Sequence, residues 1–148
     1  MSRRTLLLLA LLALAGCATA LKPRPTGDGL KRRSEAFHRS LRWGDLRGAA
    51  AYVHPDQRRA WLQKALDGKD EDNLKVLEYA AEDAQVDLPS GKAQVLSRMT
   101  WHRLPSLTMN NDTLVVSWEA QETTWYVTSI ERGPLPLAAP DPLLKQLP

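Results

Sequence analysis

The sequence predicts an α+β domain: about three helices packed on a curved antiparallel sheet of about four strands. Three observations carry this. Apolar residues recur at helical spacing between Leu30 and Leu66. Beyond Lys69 the period shortens to alternation. The helices precede all the strands, an order that places them together on one sheet face.

The elements follow in turn. Leu30, Ser34, Phe37 and Leu41 share one face of a first helix. Gly44-Asp45 ends it, and Asp45 suits the N-cap of a second. Leu46, Ala49, Ala50 and Val53 form the apolar stripe of that second helix. His54-Pro55 interrupts again. Pro55 fits the first position of a third helix, and Asp56 suits its positive end. Trp61, Leu62, Ala65 and Leu66 form the apolar side of this helix, and Gly68 stops it.

Lys69-Asp70-Glu71-Asp72 reads as a solvated loop. Val76 to Asp87 is expected as a long strand, although YAAEDA has helical composition. Pro89-Ser90-Gly91 is a turn. Ala93, Val95, Met99 and Trp101 alternate along the next strand, broken only by Ser97. Leu104-Pro105-Ser106 interrupts. Leu114, Val116, Trp118 and Ala120 alternate again, with Asn110-Asn111-Asp112 either bulging a long strand or forming a turn. Gln121-Glu122-Thr123 can turn a hairpin into a last strand, Trp125 to Ile130.

Both ends differ from this body. Ser2-Arg3-Arg4 precedes a run of only Leu and Ala from Leu6 to Ala15. That run falls short of the about 20 residues a spanning helix needs. A positive start, a short apolar run and small residues describe a signal peptide over residues 1–16. Residues 17–29 read as a tether, because two prolines and two glycines oppose regular structure. The twelve residues from Ala18 to Gly29 reach roughly 40 Å at most. The body is expected over 30–132, followed by a Pro-rich tail over 133–148, extended and loosely packed or disordered, with leucines able to cover a patch on the domain.

The only cysteine is Cys17. Leu14-Ala15-Gly16-Cys17 resembles the lipobox of bacterial lipoproteins. That resemblance implies alkylation of the Cys17 sulfur by diacylglycerol and cleavage just before it. The alternatives are a free cysteine or a reactive thiol. A thiolate nucleophile needs a positioned base and a folded pocket, and Cys17 precedes a Pro-rich linker. Ala18 follows the cysteine where an Asp would favour inner-membrane retention. The resemblance thus points to the periplasmic face of the outer membrane, with the inner membrane as the alternative.

The charge balance is 20 Lys+Arg against 17 Asp+Glu, and loss of Arg3 and Arg4 leaves a net of +1. No basic stripe interleaved with aromatics is present, so nucleic acid is not the expected partner. Lys31-Arg32-Arg33 is the densest positive run, expected as a solvated helix start, with contact to anionic lipid headgroups as the alternative.

A second resemblance covers about Leu30 to Ile130. Arg42-Trp43-Gly44-Asp45, Trp101-His102-Arg103-Leu104-Pro105, and Trp118 with Trp125-Tyr126 resemble the cone-shaped folds related to nuclear transport factor two, the cystatin-like α+β class. Enzymes of that class imply an Asp–His pair inside the cone, with His as general base. The three histidines, His38, His54 and His102, have no Asp at an evident partner spacing. His38 is placed between the apolar stripe and its polar flank, His54 at a cap, and His102 opposite Trp101 in the alternation.

Metal-ligand spacings, phosphate loops and a nucleophile elbow are absent, so neither metal nor cofactor is expected. Five tryptophans are many for a body this small. They either bridge helices to sheet or line a cavity, for which Met99, Trp101, Trp118 and Trp125 are the candidate lining. The expectation is a membrane-anchored binding or envelope-assembly module, partnered with the membrane through its lipid and with an envelope protein. The alternative is a small-molecule-binding or enzymatic domain using the hydrophobic pocket.

Overall fold

The computed structural model describes residues 23–140. The expected signal peptide, Cys17 and the last eight residues of the tail lie outside them. The described chain is α+β: four helices, then four strands. The helices are α1 (Gly27–Arg42), α2 (Leu46–Ala50), α3 (Pro55–Asp67) and α4 (Asp70–Asn73). The strands are β1 (Leu74–Asp87), β2 (Lys92–Arg103), β3 (Asn110–Gln121) and β4 (Thr124–Glu131), antiparallel throughout in the order β1-β2-β3-β4.

Helix α1 starts at Gly27, inside the expected tether. Thr26 is its N-cap, and the Thr26 hydroxyl accepts the Gly29 N–H at 3.0 Å. The cap supplies what the glycines lack. Gly29 has a second role. A Cβ there would meet the Thr26 hydroxyl at 3.1 Å and the Trp125 ring at 3.7 Å. The Trp125 indole N–H donates to the Thr26 carbonyl at 3.0 Å, which fastens the start of α1 to β4. Asp45 caps α2 through the Gly48 N–H at 2.8 Å. His54 caps α3 ahead of Pro55, and Gly68 closes it.

The charged stretch after Gly68 is not a solvated loop. It forms the single turn of α4, and Asp70 is buried. The Arg103 guanidinium explains this, donating to Asp70 Oδ1 at 2.7 Å from the end of β2. Burial of a carboxylate is tolerated where such a charged donor meets it.

Strand β1 is a strand throughout, YAAEDA included, with register shifts after Val76 and Ala81. On β2 the inward set is Ala93, Val95, Ser97 and Met99. Ser97 therefore continues the alternation, its hydroxyl paired with Tyr79. Asn110 to Asp112 begin β3 instead of forming a separate turn.

The two sheet edges differ. Beside β4, the Tyr52 to His54 segment bonds to Val127 on both sides, and Leu137 pairs with Ile130 by two backbone bonds. Covering an edge in this way removes a template for unwanted pairing. Leu135 is buried in the core. The start of the Pro-rich tail is therefore packed on the body, beyond the expected boundary at residue 132. Gly133 makes the turn possible: its φ is +76°, and a Cβ there would sit 3.1–3.3 Å from Leu114.

Of the tryptophans, Trp61, Trp118 and Trp125 are buried, whereas Trp43 is 79% exposed and joins no helix to the sheet. Arg33 is not a solvated residue either. Its Nε donates to the Trp125 carbonyl at 2.6 Å, and its guanidinium lies 4.8 Å from the Tyr52 ring centroid and 5.1 Å from that of Tyr126. A planar cation fits between two rings where an ammonium does not. Replacement of Arg33 by Ala is expected to cost about 1–3 kcal/mol, and Arg33→Lys to recover only part of it. Urea unfolding of wild type and the two variants measures this. Equal stability of Arg33→Lys and wild type would show the planar contact to be idle.

Candidate functional site

The only histidine in the core is the natural place to look for chemistry. Ser34, Phe37 and His38 lie on the inward side of α1, and His38 is 2% exposed. It is buried outright, not at the flank of the stripe. Its ring stacks on Tyr79 of β1, with centroids 3.6 Å apart and planes 14° apart. Phe37 meets it edge-on at 5.0 Å. The Tyr79 hydroxyl pairs with Ser97 of β2.

The hydrogen bonds select one tautomer. His38 Nδ1 lies 2.6 Å from the Ser34 carbonyl oxygen, which only accepts, so Nδ1 carries the proton. Nε2 is then an acceptor, buried and without a hydrogen-bond partner. An unmade bond at a buried acceptor costs about 1–3 kcal/mol. Burial drives the His38 pKa down to about 3, against a smaller upward pull from the Ser34 carbonyl. Burial also raises the Tyr79 pKa, offset in part by the Ser97 and Ser34 hydroxyls. Both rings are neutral at pH 7.

A neutral imidazole with a free lone pair is the form a general base takes. Two features oppose that role here. A base with a pKa near 3 holds a proton poorly at neutral pH. Among the described residues its contacts are Ser34, Phe37 and Tyr79, none a carboxylate. The Asp–His pair of the resembling enzymes is therefore not formed at His38.

The other two histidines are elsewhere. His54 is half-buried and lies 3.6 Å from Asp56, whose carboxylate is exposed; its Nδ1 accepts the Asp56 N–H and its Nε2 meets the Gln121 amide at 2.6 Å. This is capping geometry. His102 is half-buried on β2, its Nδ1 without a hydrogen bond. No three His, Cys, Asp or Glu residues converge as a metal site among the described residues.

Three of the four candidate lining residues are core. Met99, Trp118 and Trp125 are fully buried. Trp118 meets Phe37 edge-on at 5.9 Å. Trp101 is half-buried, its indole N–H donating to Asp112 at 2.6 Å, with Arg103 over its ring. The space left beside Met99, between Leu41, Leu74, Leu114 and Leu135, is about 10 Å³. That is at the limit for a single water and excludes an organic ligand.

Outside the core, an open groove of about 520 Å³ runs past Trp61, Lys64, Arg103 and Leu135, with Asp70 at its side. Sequence reasoning misses it because Leu135 falls in the Pro-rich tail. It likewise misses the His38–Tyr79 stack. Ser97, breaking an apolar alternation, is the available signal for that polar cluster.

No family model matches the chain, and no curated protein matches it. Among solved structures it is similar to a SEC-C motif containing protein from Rhodopseudomonas palustris. The TM-score is 0.53 at 10% identity, over 66% of this chain and 73% of that one. At that identity the likeness is one of fold, an α+β chain with a four-strand antiparallel sheet.

Proposed function

We propose that this protein is a lipid-anchored module of the bacterial envelope that works by binding at its surface, without catalysis. Cys17 is the attachment point, the membrane is one partner and an envelope protein the other. The outer membrane's periplasmic face is the proposed location. The observation that supports a surface role is the filled core. The space beside Met99 is about 10 Å³, and the one buried histidine has no carboxylate partner among the described residues. The domain is read as a member of the cone-shaped, cystatin-like class, a reading supported by helices preceding a four-strand meander.

Two measurements test the proposal. Cys17→Ser is expected to abolish incorporation of labelled fatty acid and leave the leader attached. Normal labelling of that variant refutes the anchor. Crosslinking in membranes is expected to recover one defined protein with the wild-type chain, and recovery of none refutes the partner. The groove beside Trp61 and Arg103 favours a second reading, a small-ligand carrier binding an amphipathic anion. Saturable binding of a soluble amphipathic anion by the wild-type chain, weakened in Lys64→Ala, would favour it.

A further inference from the structure

The outer half of β1 stands beyond the helices. Every residue from Ala80 to Ser90 is exposed, on both faces of the strand and through the turn that follows. The two faces differ. Ala81, Ala84 and Val86 pair with Ser97, Val95 and Ala93, whose side chains are buried under the helices. Cross-strand partners share a face, so these three lie on the helix side with no helix over them. Asp83, Gln85 and Asp87 occupy the other face, opposite Leu96, Gln94 and Lys92. The arm is thus amphipathic, and it ends in Leu88, 44% exposed.

The start of the described chain lies at this same tip. Arg24 and Pro25 line one groove with Leu88, Pro89, Gly91 and Glu122. Cys17 is six residues before Pro23. Six residues reach about 20 Å at most. A lipid on Cys17 therefore holds this end of the domain toward the bilayer. The β2–β3 connection, with exposed Leu104, Leu107 and Met109, lies at the opposite end of the meander. Strand β2 alone spans about 40 Å between the two ends.

We propose that the β1–β2 arm is a second membrane contact: Val86 and Leu88 enter the bilayer interface while Arg24, beside Leu88 at the tip, faces the lipid phosphates. This rests on the lipid anchor at Cys17. A single point of attachment leaves a domain free to tumble on its tether, whereas a second apolar contact fixes its orientation and strengthens the anchoring. The opposite end then faces away from the membrane.

The test uses the mature lipidated protein, in which acylated Cys17 leaves an introduced cysteine as the sole free thiol. Leu88→Cys and Leu107→Cys chains each carry an environment-sensitive fluorophore. They are reconstituted in vesicles of phosphatidylethanolamine and phosphatidylglycerol, with detergent micelles as reference. At position 88 the expected result is a blue-shifted emission, severalfold brighter and quenched by lipids spin-labelled near the headgroup. At position 107 the emission stays that of water. Emission from water at position 88 overturns the proposal, as does quenching at 107 in its place. Shielding of position 88 that rises with protein concentration in micelles assigns the arm to a second copy and also overturns it. Intact mass separates the two readings: a mass without diacylglycerol removes the anchor and the arm's role together, whereas the lipidated mass with position 88 in water removes the arm alone.

Discussion

Truncation of Trp125 to Ala is expected to destabilise the domain by about 3–5 kcal/mol, a large part of a total of roughly 5–15. Three contacts of that residue are lost or loosened together. Its ring is fully buried. Its indole N–H holds the Thr26 carbonyl at the start of α1. Its carbonyl accepts Arg33 Nε, so displacement of the β4 backbone releases the cation between Tyr52 and Tyr126. Phenylalanine separates packing from polarity. Trp125→Phe keeps most of the ring but removes one of the two donors to the Thr26 carbonyl, which keeps the Leu30 N–H at 3.1 Å, for about 0.5–1.5 kcal/mol beyond the packing loss. Trp118 is the contrast, because its buried indole N–H has no hydrogen-bond partner. Trp118→Phe should therefore cost less than Trp125→Phe. Urea unfolding followed by far-ultraviolet circular dichroism compares the three variants with wild type, and the reverse ranking would show that the Thr26 bond contributes nothing.

Acid is expected to weaken the fold through His38. In the unfolded chain the imidazole titrates near its ordinary value of 6.5, and in the folded chain near 3. The unfolded state therefore takes up the proton first. His38 leaves stability undiminished above about pH 6.5; stability then falls as the pH drops, and the loss is complete below about pH 3. Each pH unit inside that window costs about 1.4 kcal/mol, so the whole effect is several kcal/mol. Carboxylates titrate in the same range, which makes the difference between wild type and His38→Leu the informative quantity. Leucine fills similar space and removes the orphaned Nε2. The variant should lie close to wild type at pH 7 and become the more stable protein toward pH 4. Parallel curves for the two proteins would mean that His38 is hydrated and charges freely.

Little of the candidate site is legible in the sequence, and the reason is distance along the chain. The helix caps Asp45 and His54, the stop at Gly68 and the turns at Pro89–Gly91 and Gln121–Thr123 each depend on neighbours within a few residues, and these are readable. Thr26 is the exception among the caps: Pro23, Pro25 and two glycines outweigh it, and the Trp125 contact that rewards the cap is 99 residues away. Asp70 reads as solvated because Arg103 is 33 residues distant. Arg33 reads as solvated because Trp125 is 92 residues distant. His38 falls one step off the apolar stripe, where a 3.6-residue period leaves its burial undecided until a partner surface is known. Tyr79 supplies that surface.

The sequence by itself determined the α+β order, the antiparallel meander and most element boundaries, because hydrophobic period, caps and turns are local properties of a chain. Only the tertiary structure decided which polar side chains are buried, what lies between the helices and the sheet, and which edge is covered. Those depend on residues far apart in the chain, such as Ser34 with Tyr79 and Leu41 with Leu135. Packing filled the core with the side chains that alternation marks as a possible cavity wall, and so moved the search for function to the surface.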